Sequence, residues 1–224
     1  MKTSGHFTPR SSTRAGIRRN GAYPAVLISA LSLAVQSAFA PVYAQALPTG
    51  GQVAAGAATI SQPNAASLLV NQSSQNAILN WQSFSIGAGN SVVFQQPAAS
   101  SIALNRVLGN NASAIFGSLT SNGQIFLVNP SGVLFGASAN VSVGGLAAST
   151  LGIKDSDFLA GRYSFTNGGT AGSVVNQGTI TTLSGYAALI GPQVSNSGII
   201  NARMGSVAMA GGDRVSLEDR KSVV

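Results

Sequence analysis

Short apolar runs separated by turn-forming residues dominate the chain after its first 44 positions. Residues 77–86 (AILNWQSFSI), 91–94, 102–104, 115–116, 125–128 and 133–135 are each bounded by Gly, Asn, Pro or Ser. Runs of this length and spacing predict strands. Past residue 44, no stretch of eleven or more residues sustains an apolar stripe of helical period without Gly or Pro clusters. Long helices are therefore not expected, and residues 155–161 have room for one helical turn. Asn129-Pro130-Ser131-Gly132 lies between two apolar runs. Its proline presets φ and its glycine gives access to positive φ, so it predicts a β-turn. Residues 45–62 are small and polar, punctuated by Pro48-Thr49-Gly50-Gly51, and are expected to form first strands or a cap over the end of a stack.

One segment repeats. Asn176-Gln177-Gly178-Thr179-Ile180 recurs as Asn196-Ser197-Gly198-Ile199-Ile200, while Gly185, Ala188 and Gly191 are answered by Gly205, Ala208 and Gly211. These matches share a spacing of 20 residues, the length of one solenoid coil. Asparagine tolerates left-handed backbone geometry and its amide both donates and accepts. Asn176 and Asn196 are thus expected to stack as a ladder, with Gly178 and Gly198 in the same turns. Carried forward, the register meets Ser216 and Glu218 in place of Asn and Gly, which sets residues 216–224 apart as a polar tail, a cap or a truncation point. The expected fold is all-β, a single-stranded β-solenoid with N-terminal capping strands.

The net charge of +7 changes meaning once its residues are placed. Lys2, Arg10, Arg14, Arg18 and Arg19 all precede residue 20. An apolar core follows at residues 25–35 (AVLISALSLAV), then the small-residue signals Ala38-Phe39-Ala40 and Val42-Tyr43-Ala44. This arrangement reads as a secretory signal peptide over residues 1–44, its core being shorter than the roughly 20 residues a membrane span requires. Pro41 disfavours a cut after Ala40, so cleavage is placed after Ala44. The remaining seven positive and five negative side chains leave +2, too little to hold a phosphate backbone, so nucleic acid is not an expected partner. An exported chain without cysteine must draw its stability from stacked apolar rows. A hydrophobic content of 45% argues for order despite the abundance of Gly, Ser and Asn.

A series of ordered segments resembles a known family: Asn80-Trp81-Gln82-Ser83-Phe84-Ser85-Ile86, Leu104-Asn105-Arg106-Val107, residues 123–133 (GQIFLVNPSGV) and residues 143–150 (VGGLAAST). In this order they resemble the amino-terminal secretion domain of two-partner-secretion exoproteins, the filamentous haemagglutinin and high-molecular-weight adhesin group. Weaker likeness continues to about Val215. The resemblance implies a right-handed parallel β-helix over residues 45–215, recognised by an outer-membrane β-barrel transporter through periplasmic POTRA domains. It also implies export through the periplasm to the cell surface or medium, in the service of adhesion or haemagglutination. The family motif N-P-N-G-I stands here as Asn129-Pro130-Ser131-Gly132-Val133 and keeps the turn-forming residues. A further N-P-N-L motif is absent, with Asn105-Arg106-Val107-Leu108 in the manner of the adhesin branch.

Catalytic chemistry has little to draw on. The one histidine, His6, lies in the leader, which removes imidazole bases, triads and histidine metal sites from the mature chain. From residue 45 to 153 the only charged side chain is Arg106, so no carboxylate there can act as acid or base. Asp155-Ser156-Asp157 offers two carboxylates where calcium takes about six to eight oxygens. Gly87-Ala88-Gly89 lacks the rest of a dinucleotide fingerprint, and Gly211-Gly212-Asp213 reads as a turn. No catalytic residue, metal or cofactor is expected. Trp81, Phe84 and Phe116 are expected in the core or against the cap. Arg106, a lone charge, is either a specific contact or a hydrogen-bonded structural guanidinium. The candidates for transporter recognition are Asn105, Arg106, Asn129, Pro130 and Gly132, with strand addition as the physical mode. A host-cell glycan or receptor is a second partner class. One alternative is a β-helical polysaccharide-degrading enzyme, which needs Asp155, Asp157 and Arg162 to converge with Arg203 in a cleft. The other is the delivery stalk of a contact-dependent toxin, whose active domain would lie beyond Val224.

Overall fold

In the computed structural model residues 47–169 and 172–217 are described; the expected leader and residues 218–224 lie outside them. Two strands, β1 (Gln52–Ala55) and β2 (Ala58–Asn64), come first. Six rungs follow, about six turns of a parallel β-solenoid. The first two rungs are β3 (Ser67–Gln72) with β4 (Asn76–Trp81), and β5 (Ser91–Gln95) with β6 (Ile102–Val107). From the third rung a third strand is added: β7 (Ser113–Ile115), β8 (Ser118–Ser121) and β9 (Gln124–Val128), then β10 (Val133–Phe135), β11 (Asn140–Val143) and β12 (Gly145–Ser149). An excursion containing α1 (Asp155–Leu159) and β13 (Tyr163–Thr166) interrupts the stack. The coil resumes as β14 (Ser173–Asn176), β15 (Thr179–Thr182) and β16 (Ala187–Ile190), then β17 (Gln193–Asn196), β18 (Ile199–Ala202) and β19 (Val207–Ala210). Last, β20 (Arg214–Leu217) pairs antiparallel with β13.

Equivalent strands stack in parallel register to give three faces: β3-β5-β8-β11-β15-β18, β4-β6-β9-β12-β16-β19 and β7-β10-β14-β17. The two leading strands run antiparallel to the first rung, β1 on β4 and β2 on β3. They form the N-terminal cap. Both carry a register shift, and β2 contains Pro63; bulges and prolines of this kind blunt an edge against pairing with stray chains.

Period-two alternation turns every second side chain of the second face into the solenoid, where Ala77, Leu79 and Trp81 stack below Ala103 and Val107, then Ile125 and Leu127. The intervening side chains are buried as well. Ile78, Leu104, Phe126, Ala147 and Ala188 point outward into a second core closed by Leu151, Phe158, Tyr163, Phe165, Val215 and Leu217. Thus α1 and the β13–β20 ribbon form an outer layer on the second face. Residues buried on both sides need no alternation, which is why 125–128 is an unbroken apolar run.

Register partners on the second face are Ala77, Ala103, Ile125, Leu146, Ala187 and Val207. The differences give coils of 26, 22, 21, 41 and 20 residues. On this face the 20-residue spacing thus holds only for the last coil, and the doubled coil accommodates the excursion. The expected single helical turn is α1. Residues 216 and 217, the start of the segment expected as a polar tail, a cap or a truncation point, belong to β20, with Leu217 packed on the second core. The repeat fails at this point because the chain folds back over the outer layer instead of adding a rung.

Candidate functional site

Four of the five transporter-recognition candidates lie where β6 and β9 end: Arg106 is the penultimate residue of β6, and Asn129, Pro130 and Gly132 follow β9, while Asn105 sits two residues before the end of β6. Arg106 is the register partner of Val128, so Asn129 follows one residue past it. The Asn129 backbone continues the ladder by donating to the Ser149 carbonyl at 2.9 Å. The turn then closes as the Gly132 N–H donates to the Asn129 carbonyl at 3.0 Å. Gly132 holds φ +124°, a conformation that carries strain for any side chain.

Asn129 is fully buried, and both its amide nitrogen and its amide oxygen are hydrogen-bonded. Nδ2 donates to the Asn111 carbonyl and to Ser113 Oγ, both at 3.0 Å, and Oδ1 accepts from the Ser131 N–H at 3.0 Å. The side chain pins the corner to the preceding coil, and the Gly132 carbonyl adds a bond from the Ser113 N–H. Gly132 is buried, Pro130 half-buried and Ser131 exposed. Only Pro130 and Ser131 therefore offer the turn to a partner. Asn129→Ala leaves the Ser113 hydroxyl and the Asn111 carbonyl without this donor. It should lower the unfolding free energy by about 1–3 kcal/mol, measurable by urea titration.

Asn105 is also fully buried and faces the solenoid interior between Leu79 and Leu127. Its Oδ1 accepts from Trp81 Nε1 at 3.0 Å, and its Nδ2 donates to the carbonyls of Ala103 and Phe126 at 3.2 and 3.3 Å. It presents no surface to a partner in the folded coil. Arg106 points the other way. Its Nη2 donates to the Ile153 carbonyl at 2.8 Å and to Asp155 Oδ1 at 2.6 Å, with 21% of its side chain exposed. The guanidinium fastens the start of the outer layer to the second face, the structural one of its two expected roles.

The repeat residues lie elsewhere, on the last two rungs of the third face. Asn176 is the register partner of Asn196 and donates to its Oδ1 at 2.7 Å, while its own Oδ1 accepts from the Gly178 N–H at 3.2 Å. Gly198 comes so close to the Gly178 carbonyl that a Cβ would collide with it. The rung below carries Phe135 at this position, so the ladder spans two rungs. A second amide ladder was not legible. Gln72 Oε1 accepts from Gln96 Nε2 at 3.0 Å, Ser121 Oγ donates to Gln96 Oε1 at 2.5 Å, and Asn122 pairs with both backbone groups of Gln96. Its members recur at 24 and 25 residues, off the 20-residue period.

The cleft that a polysaccharide-degrading enzyme needs is not formed by its expected residues. Asp155 is paired with Arg106 and Asp157 with Arg162 at 2.7 Å. Arg203 lies apart, on a surface lined by Ile200, Asn201 and Val207. No cluster of three or more His, Cys, Asp or Glu that could hold a metal occurs among the described residues. No helix among them is long and apolar enough to cross a membrane.

A capped parallel β-helix with a helix-and-ribbon layer on one face, its corners braced by buried Asn129 and Asn176, defines a class of scaffold. The chain belongs to the two-partner-secretion family: the TPS secretion domain matches residues 44–222. Among solved structures it is similar to the HMW1 secretion domain from Haemophilus influenzae. That likeness has 34% identity and a TM-score of 0.72, over 77% of this chain and 46% of the other. It is also similar to two Haemophilus influenzae proteins named heme/hemopexin-binding protein. One is 34% identical over 80% of this chain and the other 35% identical over 64%. The chain spans 21% and 16% of those relatives.

Proposed function

We propose that this chain is the part of an adhesin-like exoprotein that addresses it to its own outer-membrane transporter. The leader, residues 1–44, delivers it to the periplasm; the transporter's POTRA domains engage it there by strand addition, and the product reaches the cell surface or medium. The observation that carries this reading is the TPS secretion domain across residues 44–222, with the family's turn motif as a braced, solvent-facing corner at Pro130 and Ser131. In this reading Pro130 makes contact, Asn129 and Gly132 hold the corner in shape, and Asn105 and Arg106 fix the rung beneath it.

Bond-breaking chemistry is not part of the proposal, since both carboxylates of the candidate cleft are held in ion pairs. The heme and hemopexin in the relatives' names are not carried over. Residues 45–224 contain neither histidine nor cysteine, two of the usual axial ligands to heme iron. Adhesion and haemagglutination, with a host glycan or receptor as ligand, are assigned to the exported product as a whole.

The test is co-expression of the full chain with its transporter, measuring the exported protein in the supernatant. Pro130→Ala combined with Ser131→Arg alters the corner's surface without touching the buried Asn129 bonds. It should leave the melting temperature in place and weaken binding to the isolated POTRA domains by about tenfold or more. Export and binding at the level of the unaltered chain, with the fold intact, would remove the corner from recognition.

A further inference from the structure

Five side chains among the described residues carry positive charge: Arg106, Lys154, Arg162, Arg203 and Arg214. Arg106 and Arg162 are held in ion pairs. Of the other three, Lys154 and Arg214 line one cavity of about 520 Å³ in the outer layer, with Ser164, Thr166, Asn167 and Gly168. We propose that this cavity binds an acidic saccharide unit, a sugar bearing a carboxylate.

The ribbon dictates what the cavity displays. Tyr163 and Phe165 of β13 turn inward to the second core, as do Val215 and Leu217 of β20, so Ser164, Thr166, Arg214 and Ser216 face outward. Thr166 is the register partner of Arg214, which sets a hydroxyl beside a guanidinium, and Lys154 joins them from the loop before α1. The nearby carboxylates are engaged. Asp157 lines the cavity but binds Arg162 through Nε and Nη2 at 3.1 and 2.7 Å. Asp213 accepts from Asn167 Nδ2 at 3.0 Å and does not line it. Two cations thus face a ligand space whose one lining carboxylate among the described residues, Asp157, is ion-paired to Arg162.

Cations flanked by hydroxyl and amide groups match a ligand with one anionic group and several hydroxyls. A nucleic acid fits poorly, because the lining has no aromatic ring on which a base could stack. The solenoid itself does not require this excursion. Other coils close in 20 to 26 residues, and only the 41-residue coil carries it.

The experiment titrates glucuronic acid into the purified full chain, followed by calorimetry and amide NMR, with glucose and sodium sulfate as comparison probes. Glucuronate should bind saturably, shift the amides of residues 164–168 and 214, and weaken as salt is raised. Lys154→Ala and Arg214→Ala should each raise the dissociation constant by about tenfold, and Arg203→Ala should leave it unchanged. The assignment is overturned by equal binding of glucose, by sulfate competing as well as glucuronate, or by absence of saturable binding to the folded chain. Equal losses in Arg203→Ala and Arg214→Ala would overturn it as well. Because neither Lys154 nor Arg214 belongs to the turn, both variants should be exported normally, which separates this test from that of transporter recognition.

Discussion

Trp81→Ala is expected to lower the unfolding free energy by about 3–5 kcal/mol, the cost of truncating a large, fully buried ring. Trp81 is 1% exposed and packs edge-on against Phe84 at 5.4 Å, in the first rung beneath the cap. Its Nε1 is also the donor to Asn105 Oδ1. Two smaller substitutions separate the ring from the hydrogen bond. Trp81→Phe retains most of the apolar volume but leaves the Asn105 oxygen unpaired inside the solenoid, at about 1–3 kcal/mol. Adding Asn105→Leu removes the stranded acceptor and continues the leucine row of Leu79 and Leu127, so the double variant should recover much of that loss. Urea denaturation of the two single variants and the double gives the coupling. Independent, additive losses would show that Asn105 is not held in place by Trp81.

The strands at residues 91–94, 102–104, 125–128 and 133–135, the Asn129–Gly132 turn and the Asn176–Asn196 stack were legible because each is written in contiguous residues or one fixed spacing, whereas the run 77–86 is a strand only as far as Trp81. The coil lengths were not. An inserted layer changes the count without changing the pattern of the rungs, so the last coil's period did not extend backward through the 41-residue coil. Asn105 stands among the candidates for transporter recognition, yet the two-residue period from Ala103 through Asn105 to Val107 turns it inward with its neighbours, and that signal was available. The outer layer also left a trace in the unbroken apolar run at residues 125–128. What the run could not name was the covering partner, because Phe158, Phe165 and Leu217 lie about 30 to 90 residues downstream, and long-range packing of this kind leaves no local spacing to count. The role of Arg106 was legible only as an alternative, since its carboxylate is 49 residues away in sequence.

Phe126→Ala should also cost about 3–5 kcal/mol, but it should release a different part of the molecule. Phe126 is the hub of the second core, with ring centroids 5.0 Å from Tyr163 and 5.9 Å from both Phe158 and Phe165. Its chain neighbour Leu127 points to the opposite side, into the solenoid. Truncating Phe126 empties the space beneath the outer layer. Amide exchange should then rise first across residues 151–166 and 214–217, while the rung amides of β4 and β6 stay protected. Leu127→Ala, of comparable burial, should instead lower protection across the rungs. Where the Phe126 variant opens the layer without unfolding the coil, it should abolish glucuronate binding, because Lys154, Thr166 and Arg214 are held together only by that layer. Uniform loss of protection in both variants would mean that coil and layer unfold as one unit, and that the second core is an extension of the first.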